Sequence, residues 1–135
     1  MEDTLFAKII RREIPADVVY EDDETLAFLD IHPNNPGHTL VIPKEPAQNI
    51  FDISDEALSA MTRTARKIAP AIMRAVDADG MNLVMNNKKA AGQLVFHAHL
   101  HLIPRFADDG LRSWPRKEYA PGEAGAVAEK IRAAQ

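Results

Sequence analysis

Apolar and polar positions change rhythm several times along the chain, and each change marks an element. Residues 4–11 set Leu5, Ile9 and Ile10 near one face of a short helix, and Pro15 keeps Ile14 out of helical geometry. VVYE (18–21) and TLAFLD (25–30) read as two strands separated by the turn-like Asp22-Asp23. HPNNPG (32–37) is the densest turn signal, and HTLVIP (38–43) follows as a buried strand. Ser54 suits the N-cap of a long helix, with Asp55 and Glu56 favourable to its dipole. Leu58, Met61, Ala65, Ile68, Ile72 and Val76 trace the apolar stripe of that helix. Pro70 predicts a kink within it, and Gly80 an end. MNLVMN (81–86) and VFHAHLHLIP (95–104) read as two further strands. Residues 105–121 look irregular, and a short helix over about 123–133 carries Val127 and Ile131. This order predicts an α+β fold, a mainly antiparallel sheet with one long helix and short terminal helices.

Composition narrows the class. A chain of 135 residues suits a single domain spanning 1–135, and it shows no internal repeat or low-complexity tract. A net charge of −4 argues against a general nucleic-acid binder, which would present a basic face. The chain has no cysteine, which excludes disulfides, thiolate metal sites and a cysteine nucleophile and suits a reducing cytoplasm. The start, MEDTLFAKIIRREIPAD, scatters acids and bases and reads as neither a signal peptide nor a membrane span.

Candidate chemistry concentrates in HAHLHL (97–102), which holds three of the five histidines at alternate positions. On a strand, His97, His99 and His101 would share one face while Ala98, Leu100 and Leu102 pack on a core. Each imidazole carries a donor and an acceptor that need partners, so a row of three fills no core well. Two readings compete. In a metal centre, two histidines at i and i+2 chelate one ion. The third lies about 13 Å from the first along the strand, so His38 or an acid would have to complete the shell. In nucleophilic catalysis at phosphorus, one imidazole attacks while its neighbours hold its tautomer, bind oxygens and supply a proton. The upstream segment NNKKAAGQLVF (86–96) favours phosphate. Gly92 lets a backbone approach an oxyanion, and Gln93 adds an amide donor.

GQLVFHAHLHLIPR resembles the signature of the histidine triad family, His-x-His-x-His followed by apolar residues. LFAKIIRREIPADVVYEDDETLAFLDIHPNNPGHTLVIPKE is similar to the family's N-terminal half, so the likeness covers roughly residues 4–105 and leaves 106–135 as a variable segment. The resemblance implies a homodimer of α+β subunits that binds a purine nucleotide and cleaves a phosphoramidate or related nucleotidyl bond; the departures at Thr4, Ala7 and Pro46 add the expectation of no metal or other cofactor. It implies that His99 is the nucleophile and that the His97 carbonyl orients its ring. His101 and His38 would contact phosphate and move protons. Asn86, Gln93 and the backbone near Leu94 and Val95 would hold phosphate, and Asp30 the ribose hydroxyls. Leu5, Phe6, Ile9, Phe28 and Ile31 would line the base pocket. His32 has no implied role and reads as a surface loop histidine, and Trp114 and Tyr119 read as packing or dimer-edge residues. Taken alone, Asp30 reads as a turn acceptor, Asn86 as a turn residue and His38 as a cap on its strand.

Several positions depart from the family pattern. Many bacterial relatives hold a structural zinc with two cysteines and two histidines. Thr4 and Ala7 stand at the cysteine positions and Pro46 at one histidine position. Leu94 replaces a frequent Ser or Thr near the phosphate, and Lys88 stands where glycine is frequent. Three classes follow: a metal-independent hydrolase of phosphoramidates or dinucleoside polyphosphates, a zinc-dependent hydrolase on the same histidines, and a nucleotide-binding interaction module with little turnover.

Overall fold

The apolar alternation serves both faces of one sheet. A computed structural model describes residues 3–135. Its strands are β1 (Val18–Glu21), β2 (Thr25–Leu29), β3 (Thr39–Pro43), β4 (Gly80–Val84) and β5 (Leu100–Arg105). They lie in the order β1-β2-β3-β5-β4, and every neighbouring pair is antiparallel. Helices α1 (Leu5–Ile10), α2 (Asp55–Val76) and α3 (Glu123–Ala134) complete the α+β architecture.

Successive strand residues point to opposite faces, so the same strands feed two apolar clusters. On one face Ala27, Val41, Leu100 and Leu102 pack against Met61, Ala65, Ile68 and Ile72 of α2. On the other, Leu26, Phe28, Leu40 and Ile42 pack against Phe6 and Ile9 of α1. Phe28 is registered with Leu40, and Leu40 with His101. That register carries His101 onto the α1 face.

Local chemistry sets the element ends. Thr4 and Ser54 cap α1 and α2, their hydroxyls accepting from the Ala7 and Ala57 amides. Helix α2 runs through Pro70 to Val76. Proline offers no N–H to the Arg66 carbonyl, but both residues are exposed, so water can satisfy the freed oxygen. The helix ends at Asp77, left-handed at φ 54°, with the Ala78 amide donating to Met73 O at 3.0 Å. Gly80, the expected stop, opens β4 instead.

Two sequence expectations need correction. The histidine strand is shorter than 95–104, because ladder pairing begins only at Leu100 and residues 95–99 reach it as irregular chain. Trp114 and Tyr119 do not pack within the chain, being 81% and 65% exposed. No residue of α3 is buried either. Among the described residues, no helix is long and apolar enough to cross a membrane.

The turn at residues 32–37 enters β3 through Gly37 at φ +93°. A Cβ there would lie 2.9 Å from Val76 Cγ1 and 3.2 Å from Pro104 Cγ. Glycine is required both for the backbone angle and for this close approach of the turn to α2 and β5.

Candidate active site

On the α1 face a cleft of about 500 Å³ opens between α1, the 30–38 turn region and the 86–95 loop. Twelve of the fourteen residues expected at a site line it: Leu5, Phe6, Ile9, Phe28, Asp30, Ile31, His38, Asn86, Leu94, Val95, His99 and His101. The apolar wall also contains Ile14, Pro15, Ala16 and Leu40, which sequence reading had not placed there. His32 stands at the rim. Leu94 contributes a side chain that is 88% exposed at the mouth.

His97 and Gln93 are the two that do not line the cleft. The His97 ring turns away toward β3, where Nε2 is 2.8 Å from Pro43 O. A carbonyl only accepts, so Nε2 carries the proton, and Nδ1 faces the Thr4 hydroxyl at 3.5 Å. The three rings lie on the α1 side of the sheet, with Phe6 6.2 Å from His97 and 5.0 Å from His99 between centroids, but only His99 and His101 open into the cleft. Gln93 is a correction of the same kind. Its amide donates to Gln48 O at 2.6 Å and Val95 O at 3.0 Å, and its oxygen accepts from Lys88 N at 2.8 Å. One N–H staples the 88–95 loop to residue 48 and the other closes on Val95 within the loop, which leaves no donor for a phosphate.

Within that loop Lys88 adopts φ 74° and ψ 161°, a backbone region that is essentially reserved to glycine. This gives a physical reason for glycine at the position in relatives. The Gln93 bond to the Lys88 amide and the Lys88 Nζ lying 5.1 Å over the Phe51 ring hold the strained conformation.

Hydrogen bonds fix which nitrogen of each remaining imidazole holds its proton. His99 Nδ1 is 2.6 Å from His97 O, so Nδ1–H donates and the lone pair sits on Nε2. Phe6 stands edge-on to the His99 ring, 5.0 Å between centroids. The Asn34 amide donates to His38 Nδ1 at 3.1 Å, which leaves the His38 proton on Nε2. That N–H faces His101 Nδ1 at 2.9 Å and donates to it. His101 consequently bears its own proton on Nε2. Asp30 behaves as the turn acceptor, Oδ1 receiving the His32 amide at 2.8 Å, while Oδ2 lies 3.7 Å from His38 Nε2.

Burial disfavours the imidazolium form of every one of these rings. It pushes the His99 pKa down to about 4, against the counter-effect of the His97 carbonyl. Burial likewise lowers His38, His97 and His101 below 6.5. At neutral pH His99 thus presents a neutral ring whose Nε2 lone pair is free for nucleophilic attack, beside His101, whose Nε2–H is free to donate.

Neither metal reading fits these donors. Asp30, His38 and His101 bring three ligand atoms within 4.8 Å of one another. A metal on His38 Nε2 would have to displace the proton while Nδ1 still accepts from Asn34, which requires an imidazolate. The family's structural zinc fares no better, since Thr4, Ala7 and Pro46 offer one hydroxyl and no thiolate or imidazole. His97 beside them offers a single donor nitrogen, Nδ1, with only the Thr4 hydroxyl near it.

Comparison with known proteins agrees with the architecture. The HIT domain model matches residues 11–108. The purine nucleoside phosphoramidase of Escherichia coli is 43% identical over 119 residues, covering 82% of this chain and 98% of that one. The crystal structure of SMU.412c from Streptococcus mutans superposes with a TM-score of 0.93 at 44% identity, over 99% of this chain and 86% of that chain. A zinc-bound histidine triad family protein from Mycobacterium smegmatis reaches a TM-score of 0.76 at 36% identity, over 97% and 96% of the two chains. With the family model, the sequence relatives and the fold in agreement, the chain belongs to the HIT family.

Proposed function

We propose that this protein is a nucleotide hydrolase that cleaves a purine nucleotidyl bond at the α-phosphate, a phosphoramidate before other leaving groups. The observation that carries the reading is the His99 ring. It is tied through Nδ1–H to the His97 carbonyl, neutral at physiological pH, and its Nε2 lone pair has no partner among the described residues. Its likeness to the E. coli phosphoramidase supports the choice of substrate class.

His99 Nε2 attacks the α-phosphorus. The bond to the leaving group breaks, its electron pair departs with the leaving atom, and that atom takes a proton that His101 has drawn from solvent, which returns His101 to its neutral form. Water then attacks the nucleotidyl-His99, the N–P bond returns its electrons to Nε2, and one proton is released. One proton enters and one leaves, so the cycle balances. The base sits against Phe6, Ile9 and Phe28, and Asp30 Oδ2 accepts from the ribose. Asn86 and the backbone at Leu94 and Val95 hold phosphate oxygens. Leu94 presents methyl groups rather than a hydroxyl at the mouth, which favours an apolar leaving group. The absence of any cysteine suits a reducing cytoplasm.

The test is steady-state turnover of adenosine and guanosine phosphoramidates, dinucleoside polyphosphates and nucleotide sugars. The phosphoramidates should give the highest kcat/KM. His99→Ala should lose about a thousandfold or more while still binding nucleotide. His97→Ala should lose less, since alanine keeps the carbonyl. No turnover of any member by the wild type would favour a binding module instead.

A further inference from the structure

The proton on His101 is set from outside the cleft. His101 holds it on Nε2 because His38 donates to Nδ1, and His38 donates because the Asn34 amide occupies its other nitrogen. The chain of donors thus begins at a backbone N–H in the exposed turn at 32–37. An exposed turn rich in Asn and Pro has no core of its own to hold it, yet this amide must stay aimed at a buried ring.

Three polar side chains supply that aim. Asn35 Nδ2 donates to Pro104 O at 2.9 Å and to Asp109 Oδ2 at 3.0 Å. Arg105 grips the Asp109 carboxylate with Nε at 2.7 Å and Nη2 at 3.1 Å. The same carboxylate accepts from the Phe106 and Leu111 amides, and its side chain is only 7% exposed. Arg105 also reaches Asn82 Oδ1 of β4. The knot joins the turn to the end of β5 at Arg105, four residues past His101. None of the three side chains lines the cleft.

We propose that Asn35, Asp109 and Arg105 are positioning residues for the His101 proton: they hold the turn so that the Asn34 amide fixes the tautomer of His38 and, through it, that of His101. An extra proton on either ring would set two donors face to face, at Asn34–His38 or at His38–His101. The pair therefore holds such a proton weakly and releases it readily to a leaving atom. Asp30 and His99 are the other titratable groups facing the pair, and neither bonds to the nitrogens concerned. The proposal rests on the hydrolase reading for its kinetic consequence but not for its geometry.

Two readouts separate positioning from mere structural support. Two-bond ¹⁵N–¹H correlation of the labelled protein reports the protonated nitrogen of each ring. Wild type should show Nε2–H on both His38 and His101, and Asn35→Ala and Asp109→Asn should show mixed tautomers. Asp109→Asn keeps the side-chain size and carries the test should Asn35→Ala fail to fold. In turnover, an alkylamine phosphoramidate of adenosine needs a proton on its leaving nitrogen, whereas the 4-nitrophenyl ester of the same nucleotide does not. The variants should lose at least about tenfold on the first and less than about threefold on the second. Equal losses on both substrates, or unchanged tautomers, would overturn the positioning role. A wild type inert to both substrates overturns the hydrolase reading, and the tautomer measurement then decides the inference alone.

Discussion

One ring nitrogen, Nε2 of His99, carries the proposed chemistry, and its availability is a matter of protonation. A free imidazole near pKa 6.5 is partly charged just below neutrality, and a charged ring has no lone pair to give. Burial moves the His99 transition down to about 4. The charged form is the inactive one, so activity is lost as pH falls through the folded-state value rather than through 6.5. The acidic limb of kcat/KM should consequently lie well below pH 6, with a plateau across pH 6–8. Initial rates at subsaturating substrate between pH 4.5 and 8 check this. A limb centred near 6.5 would mean that the ring is hydrated or charged in the working protein.

The loop between β4 and β5 shows how an element is held against its own preference. Lys88 sits in a glycine backbone region, so Lys88→Gly should relieve strain and raise stability by about 1 kcal/mol, read as a higher Tm. A fall in Tm would show that the Phe51 stacking outweighs the strain. Much of the surrounding architecture was legible in the sequence because it rests on local rules. TLAFL and TLVIP read as strands between turn signals, Ser54 marked the start of α2, and the histidine triad resemblance marked His99 and His101. What stayed hidden depends on partners distant in sequence. Alternation in VFHAHLHL does not say where ladder bonding begins or that the His97 ring will turn to Pro43 and leave the cleft. Nothing near Gln93 tells that its amide will find Gln48, 45 positions away. The stop at Asp77 was missed because an aspartate in left-handed geometry is a weaker signal than the glycine three residues later. Asn35, Arg105 and Asp109 looked like ordinary turn and surface residues until the fold joined them.

For the molecule as a whole, exposed apolar side chains include Leu83, 54% exposed on the outer strand β4, and Trp114, Tyr119 and Ile131 in the C-terminal segment. An unpaired strand edge and unpacked aromatics favour burial against a second copy. Sedimentation at micromolar concentration should accordingly give about twice the 15.0 kDa chain mass. A single species at chain mass would remove the homodimer from the account. The covalent step is the claim on which the rest depends, and it is visible in the mass of the intact protein. Wild-type enzyme quenched with acid during turnover of adenosine phosphoramidate should carry one added nucleoside monophosphate, mapped to the 95–104 peptide and missing from His99→Ala. Quenched wild type with no adduct at any time before substrate is exhausted, or His99→Ala with full turnover, would contradict a nucleotidyl-histidine mechanism.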